Sequence, residues 1–220
     1  MLNQEQTATP YQKSENVHSL RTSSRVLRAL DVALSAVLIL LLLPLFVLIA
    51  LAIRLDSAGP VLFTQKRVGR DGREFDFFKF RSMITNAEAR RHALEAQNER
   101  TGPVFKMRRD PRITRVGRWL RRSSLDELPQ LFNVLRGDMS LVGPRPALPH
   151  EVAQYTAPQR VRLSVTPGLT GLWQVSGRSD LSFERSLELD LFYIQHQSPG
   201  LYFRILLMTL PAIITGRGAY

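Results

Sequence analysis

Cysteine is absent from all 220 residues. Disulfides and thiolate zinc sites are thereby excluded. Histidine is scarce: His18, His92, His150 and His196 lie far apart, and no two have the spacing of a metal-binding pair. Zinc chemistry is not expected. Acid is also short, with 19 Asp and Glu against 30 Lys and Arg, a formal net charge of +11. A chain so basic calls for an anionic partner: nucleic acid, anionic lipid or a phosphorylated substrate. Neither aromatic stacking platforms nor a groove-reading element is evident, so nucleic acid is not expected.

What is present begins with an apolar run. Residues 1–24 are polar and without apolar periodicity, and read as a flexible tail. Residues 32–53, VALSAVLILLLLPLFVLIALAI, carry no charge. That length suits a bilayer crossing, which takes about 20 residues. A cleaved signal fits badly, because the run is too long and Arg54 follows it. Arg21, Arg25 and Arg28 flank one end and Arg54, Lys66, Arg67 and Arg70 the other, so charge sets no orientation. Pro44, mid-run, removes an N–H and kinks the helix. On residues alone, a kinked span and a hairpin with both ends on one side fit equally.

After Asp56-Ser57-Ala58-Gly59-Pro60 the pattern turns globular, with one domain's worth of chain. Val61-Leu62-Phe63 reads as a strand, and KRVGR and REFDFFKF flank Asp71-Gly72 as a hairpin. Lys79 and Arg81 lie at its end and could reach a phosphate. Residues 86–99 read as a polar helix. The run RRDPRITRVGRWLRR at 108–122 reads as a membrane-surface face, with Trp119 and Leu120 at headgroup level.

The chemistry concentrates in RRSSLDELPQLFNVLRGDMSLVGPRP, residues 121–146. Leu128, Leu131, Phe132 and Leu135 have helical spacing, and Gly137 stops the helix. Ser124-x-x-Glu127 reads as a capping box, while Pro129 fits better if the cap is Leu125 or Asp126; either register places Asp126 and Glu127 in the first turn. There the helix dipole would keep an acid ionised, as a nucleophile or hard-cation ligand must be. Taken alone, such acids are more often plain caps. Arg121 and Arg122 before them and Gly143-Pro144-Arg145-Pro146 after them point instead to a metal-bound diphosphate. Downstream, a turn-rich loop at 166–177 encloses Trp173 and leads to Arg178. Phe183, Leu187, Leu191 and Ile194 mark one helix face, and residues 201–214, interrupted by Pro211, suit an interfacial helix.

Three segments carry a specific resemblance: QKRVGRDGREFDFFKFRSM at 65–83, SLDELPQLFNVLRGDMSLVGPRP at 124–146 and PGLTGLWQVSGRSDLSF at 167–183. With the apolar segment, about residues 25–220 resemble the bacterial sugar transferases, monotopic phosphoglycosyl transferases acting on a polyprenol carrier. The resemblance implies a mixed α/β, mostly helical catalytic domain over 57–220 with a small β-hairpin. It implies anchoring by a re-entrant helix over 25–56 broken at Pro44, assisted by interfacial amphipathic helices. Family members usually carry Ser before this proline, where this chain has Leu43. The implied reaction moves a sugar-1-phosphate from a UDP-sugar to undecaprenyl phosphate and releases UMP. Asp126 would be nucleophile and Mg²⁺ ligand, with Glu127 beside the metal. Arg145, Arg178, Arg121, Lys79 and Arg81 would hold phosphates. The ending ITGRGAY and the 171–183 segment resemble the exopolysaccharide-initiating branch, favouring glucose or galactose. The implied place is the cytoplasmic face of the bacterial inner membrane, among its lipids, and a homo-oligomer is compatible. Two other readings stand beside this one: a membrane-anchored polyanion-binding scaffold, and an inverting glycosyltransferase releasing UDP.

Overall fold

Forty residues of the computed structural model, Val17–Asp56, form a single helix, α1, with Pro44 inside it. The structure describes residues 17–99, 107, 109–216 and 218. The helix thus starts within the expected tail, of which residues 1–16 lie outside the described residues. The expected break at Pro44 is not an interruption, since helix continues on both sides. A proline removes one hydrogen bond and bends a helix without ending it.

One stripe of α1 faces the rest of the molecule. Asp31, Ser35, Ile49 and Ile53 are buried, and Leu27, Ile39, Leu45 and Phe46 pack on apolar clusters. The stripe keeps a four-residue step up to Ile39 and resumes beyond Pro44. The opposite side exposes Leu40, Leu41, Leu43, Val47, Leu48, Leu51 and Leu55, a surface suited to lipid. From Leu27 to Asp56 the helix would measure about 43 Å. Both of its ends are tied to the same body. Arg28 donates to the carbonyls of Val134 (2.6 Å) and Leu135 (3.0 Å). The Asp31 carboxylate accepts from the Leu141 N–H at 2.8 Å and from the Tyr202 hydroxyl. At the far end Asp56 accepts from the Val116 N–H at 3.0 Å.

The hairpin forms around Asp71-Gly72, but through the three-residue turn Arg70–Gly72 and not the two-residue turn expected of that pair. Strand β1 (Leu62–Val68) pairs antiparallel with β2 (Glu74–Phe80), Leu62 opposite Phe80 and Val68 opposite Glu74. Asp71 (φ 57°) and Gly72 (φ 78°) take the left-handed backbone such a pair accepts. Side chains alternate along β2, so Lys79 shares a face with the buried Phe75 and Phe77. Residues 86–99 are turns and a 3-10 segment (His92–Gln97), not the expected α-helix. They lack the apolar stripe that would hold a helix on the core.

Helix α2 (Arg115–Arg122) is capped by Thr114, whose hydroxyl accepts from the Gly117 N–H at 3.0 Å. Only Trp119 of the expected surface pair is exposed. Leu120 is fully buried with Ile49, Ile53 and Phe80, because α1 lies against that side of α2. Next come α3 (Gln130–Arg136), ended by Gly137 at φ 91°, and strand β3 (Ser140–Val142). Helices α4 (Pro149–Ala153) and α5 (Ala157–Arg160) precede strand β4 (Gly168–Thr170), which is parallel to β3. Helices α6 (Leu172–Ser176), α7 (Phe183–Gln195) and α8 (Pro199–Thr215) complete the chain.

The face of α7 is rotated from the expected one. Phe183, Ser186, Asp190 and Tyr193 are buried, while Leu187 and Leu191 are half-buried. The rotation brings Asp190 to Arg162 at 2.7 Å and lets the Tyr193 hydroxyl donate to the Val142 carbonyl. On α8, Tyr202 and Ile205 enter the core, and Phe203, Leu207, Leu210 and Ile214 stay exposed along one side. Both sides are thus largely apolar, and α8 offers lipid an exposed apolar face without the polar face of the expected amphipathic helix.

Candidate active site

Asp126 and Glu127 occupy a 3-10 turn, Leu125–Glu127, wedged between α2 and α3. The expected capping box does not form. Ser124 sits in the left-handed region (φ 56°), and its hydroxyl accepts instead from Arg178 Nη1 at 3.2 Å. The acids therefore precede α3, whose N-cap is Pro129, and are not in its first turn. A proline lacks the N–H that a Ser124-capped helix would use at that point.

The structure brings four of the five expected cations to this turn. Lys79 Nζ donates to Glu127 Oε1 at 2.7 Å, and Arg145 grips both Glu127 oxygens, at 2.7 Å and 3.2 Å. Lys79 lies 3.7 Å from Asp126. Arg121 interacts electrostatically with both acids while its Nε donates to the Ser82 hydroxyl at 3.1 Å. Arg178, itself left-handed (φ 55°), interacts with both acids and donates to the Gln174 carbonyl. Phe77 forms an aromatic floor: Lys79 Nζ is 5.5 Å and the Arg145 guanidinium 6.0 Å from its ring centre.

Arg81 is not among them. Its guanidinium is spent on the Ser57 carbonyl (2.7 Å), the Ser57 hydroxyl (3.0 Å) and the Ala58 carbonyl. It fastens the turn after α1 to the end of the hairpin. Lys79 and Arg81 should share a face by strand alternation, but β2 ends at Phe80 and the parity ends with it.

The two carboxylates differ although they are adjacent. Burial alone would raise Glu127, but Arg145 and Lys79 overcome it and hold the carboxyl well below its usual range. Asp126 is pushed up by burial, with Glu127 adding to the rise and Lys79, Arg121 and Arg145 opposing it. Among the described residues, no donor within hydrogen-bond distance reaches the Asp126 carboxylate. The expectation that a helix start favours the charge of this acid is corrected: Asp126 lies before α3, and burial raises it against the pull of Lys79, Arg121 and Arg145. Burial likewise lowers Lys79, against the pull of Glu127 and Asp126. Such opposed shifts in neighbouring acids make the pair a candidate for divided roles.

The residues fit Mg²⁺ in one specific sense. Among the described residues no group of three or more His, Cys, Asp or Glu could hold a metal. One or two carboxylates completed by substrate phosphates and water is the usual Mg²⁺ arrangement. An Asp126 without donors, next to Glu127, matches that donor set.

Sequence reading missed Arg67 and Arg162, which flank Arg145, and Asp190, which neutralises Arg162. Arg67 had a local signal, lying directly opposite Phe75 in the hairpin register. Arg162 and Asp190 had none, being 28 residues apart and joined only by the fold.

Residues 22–216 match the bacterial sugar transferase family. The chain is 49% identical over 168 residues to galactosyl transferase CpsE of Streptococcus agalactiae, covering 76% of this chain and 37% of that protein. It is 46% identical over 210 residues to undecaprenyl-phosphate glucose phosphotransferase of Komagataeibacter xylinus, covering 88% and 36%. It is 39% identical over 197 residues to exopolysaccharide production protein ExoY of Rhizobium meliloti, covering 88% and 87%. The chain thus spans less than two fifths of the first two relatives and most of the third.

Proposed function

We propose, from the premise that the chain belongs to the bacterial sugar transferase family, that it transfers a hexose-1-phosphate from a UDP-sugar to undecaprenyl phosphate. The sugar is glucose or galactose, the hexoses named in its relatives, and the product begins an exopolysaccharide or another surface glycan. One observation carries the reading. Of two adjacent acids, the half-buried Glu127 is saturated by Lys79 and Arg145, and the buried Asp126 faces the same cations with no donor of its own.

In this reading Asp126 is the nucleophile. Its carboxylate oxygen attacks the phosphorus that bears the sugar, and the bond to the bridging oxygen breaks. UMP leaves with that electron pair. An oxygen of undecaprenyl phosphate then attacks the same phosphorus and frees Asp126. Arg145 and Lys79 exchange Glu127 for phosphoryl oxygens, a task suited to the planar guanidinium fork. Arg178 and Arg121 neutralise the remaining charge. Bound Mg²⁺, held by Asp126 beside Glu127, would offset the diphosphate charge and favour the ionised Asp126.

The same reading places the body on the cytoplasmic face of the inner membrane with both ends of α1 on that side. Arg28 and Asp56 grip one body from opposite ends of the apolar run, whereas a crossing would carry them to opposite faces. Val26→Cys and Ala58→Cys place single thiols at these ends in a chain without cysteine. An impermeant periplasmic reagent should label neither; labelling of one alone means a true crossing.

The chemical test omits the acceptor. Enzyme, Mg²⁺ and UDP-sugar labelled in the sugar should give protein-bound label and about one equivalent of UMP. Undecaprenyl phosphate should then discharge the label into lipid. UMP that appears only with acceptor present, with no label on protein, means direct transfer; UDP as product means a glycosyltransferase.

A further inference from the structure

The loop that carries Arg145 is held through its acceptors. Pro144 and Pro146 offer no N–H, so only carbonyls are available at those positions. Four consecutive carbonyls each receive a donor. Pro144 accepts from the Gly168 N–H at 2.9 Å and Ala147 from the Val68 N–H at 2.9 Å. Between them, the Arg145 carbonyl accepts from Arg162 Nη2 at 3.4 Å and the Pro146 carbonyl from Arg67 Nη1 at 3.0 Å. The outer two are ordinary backbone bonds. The inner two come from arginine side chains on separate elements, β1 and the turn after α5.

Both arginines are braced in their own right. Arg162 pairs with the buried Asp190 of α7 at 2.7 Å and donates to the Tyr155 hydroxyl at 2.9 Å. Arg67 Nη2 donates to Gln65 Oε1, and its guanidinium lies 5.3 Å from the Phe77 ring that also floors Lys79 and Arg145. Neither arginine is within ion-pair distance of Asp126 or Glu127 among the described residues. Burying two further cations beside Arg145 costs free energy unless they do something for it.

We propose that Arg67 and Arg162 are positioning residues for Arg145, a two-sided clamp on the carbonyls of residues 145 and 146 that aims the guanidinium at the diphosphate. The inference rests on the reading of Arg145 as a phosphate ligand. A lysine has one charge centre and no fork, so Arg67→Lys keeps the charge and loses the clamp. A residue acting only through Arg145 must lose its effect once Arg145 is gone.

The full chain in lipid nanodiscs is titrated calorimetrically with UDP, with and without Arg67→Lys, in wild-type and Arg145→Ala backgrounds. The clamp predicts about tenfold weaker binding in the wild-type background and less than about twofold in Arg145→Ala. Equal weakening in both means that Arg67 meets the phosphate itself, and no weakening in either means that it does not position Arg145; both overturn the clamp. Hydrogen exchange provides a readout without ligand: the 141–148 segment should exchange about tenfold faster in Arg67→Lys while 130–136 is unchanged. Unaltered exchange at 141–148 overturns the clamp whatever the binding shows. If wild-type protein binds no UDP, or Arg145→Ala binds it as well, the phosphate-ligand reading falls, and exchange alone decides whether the loop is clamped. Should Arg67→Lys fail to fold, Arg162→Lys is judged by the same criteria.

Discussion

Two aspartates, Asp110 and Asp126, are buried to almost the same degree, 7% and 5% exposed, and each lies among arginines. Their fates differ. Arg112 donates to Asp110 from Nε at 2.9 Å, from Nη2 at 2.7 Å and from its backbone N–H at 2.9 Å. Burial would raise that carboxyl, but these bonds bring it below its ordinary value of 3.8. Asp126 receives only an ion pair, at 3.7 Å, and burial carries it upward. Burial near positive charge is therefore not what marks a site. What sets Asp126 apart is that no donor reaches it while its neighbour Glu127 is saturated by Lys79 and Arg145, a cost retained where a ligand or reaction uses it.

The sharpest way to break the contrast is to neutralise each acid. Asp126→Asn should lower sugar-phosphate transfer at least about a thousandfold, through loss of the nucleophile, in a folded, membrane-bound protein. Asp110→Asn should do the reverse. Breaking a buried pair costs about 3–5 kcal/mol, read in denaturant unfolding, while activity per folded molecule stays within about threefold. Equal loss of activity in both would erase the distinction.

A smaller effect follows from pH. Asp126 must be ionised to attack, so kcat/KM for the UDP-sugar should fall with unit slope as pH drops through its raised pKa. Its folded pKa exceeds its unfolded one, so the charged form costs stability above the folded pKa, and that cost declines as pH falls through it and is gone below the unfolded pKa. Asp126→Asn should accordingly raise Tm at pH 7.5, and the gain should shrink toward acid. Asp110 has the opposite sign: its contribution is present above 3.8 and lost as pH falls through its lowered folded pKa. A Tm gain for Asp126→Asn that does not change with pH would contradict the assignment.

The smallest pair separates two cations close together in sequence. Lys79→Ala removes one of two partners of Glu127 and should reduce turnover about a hundredfold. Arg81→Ala should leave turnover per folded molecule within about twofold, since its bonds go to the Ser57 and Ala58 carbonyls. It should lower stability by about 1–3 kcal/mol, by removing the charge-assisted bonds that fasten the turn after α1. Loss of activity in Arg81→Ala with unchanged stability would return it to the site.

Legibility followed the range of each interaction. The hairpin was readable because Asp71-Gly72 sets its own backbone, and the end of α3 because Gly137 does the same. The acids and most of their cations were readable as types crowded into short segments. Faces were read less well. The α7 face is rotated because Asp190 seeks Arg162, and Leu120 faces inward because α1 packs there. Residues 86–99 have helix-forming composition but no apolar stripe to hold a helix on the core.

By itself, then, the sequence determined an apolar anchor, a basic body, a hairpin and a pair of acids set among arginines, since composition, periodicity and turn chemistry act within a few residues. Only the tertiary structure decided which acid is satisfied and which is left free. It also decided that Arg81 serves the turn after α1 while Lys79 serves the acids, and that both ends of α1 hold one body. A carboxylate's ionisation depends on which donors converge on it and how much water is excluded. Here the donors to Glu127 come from Lys79 and Arg145, and Arg121 and Arg178 add charge without a bond, a division that no local pattern reveals.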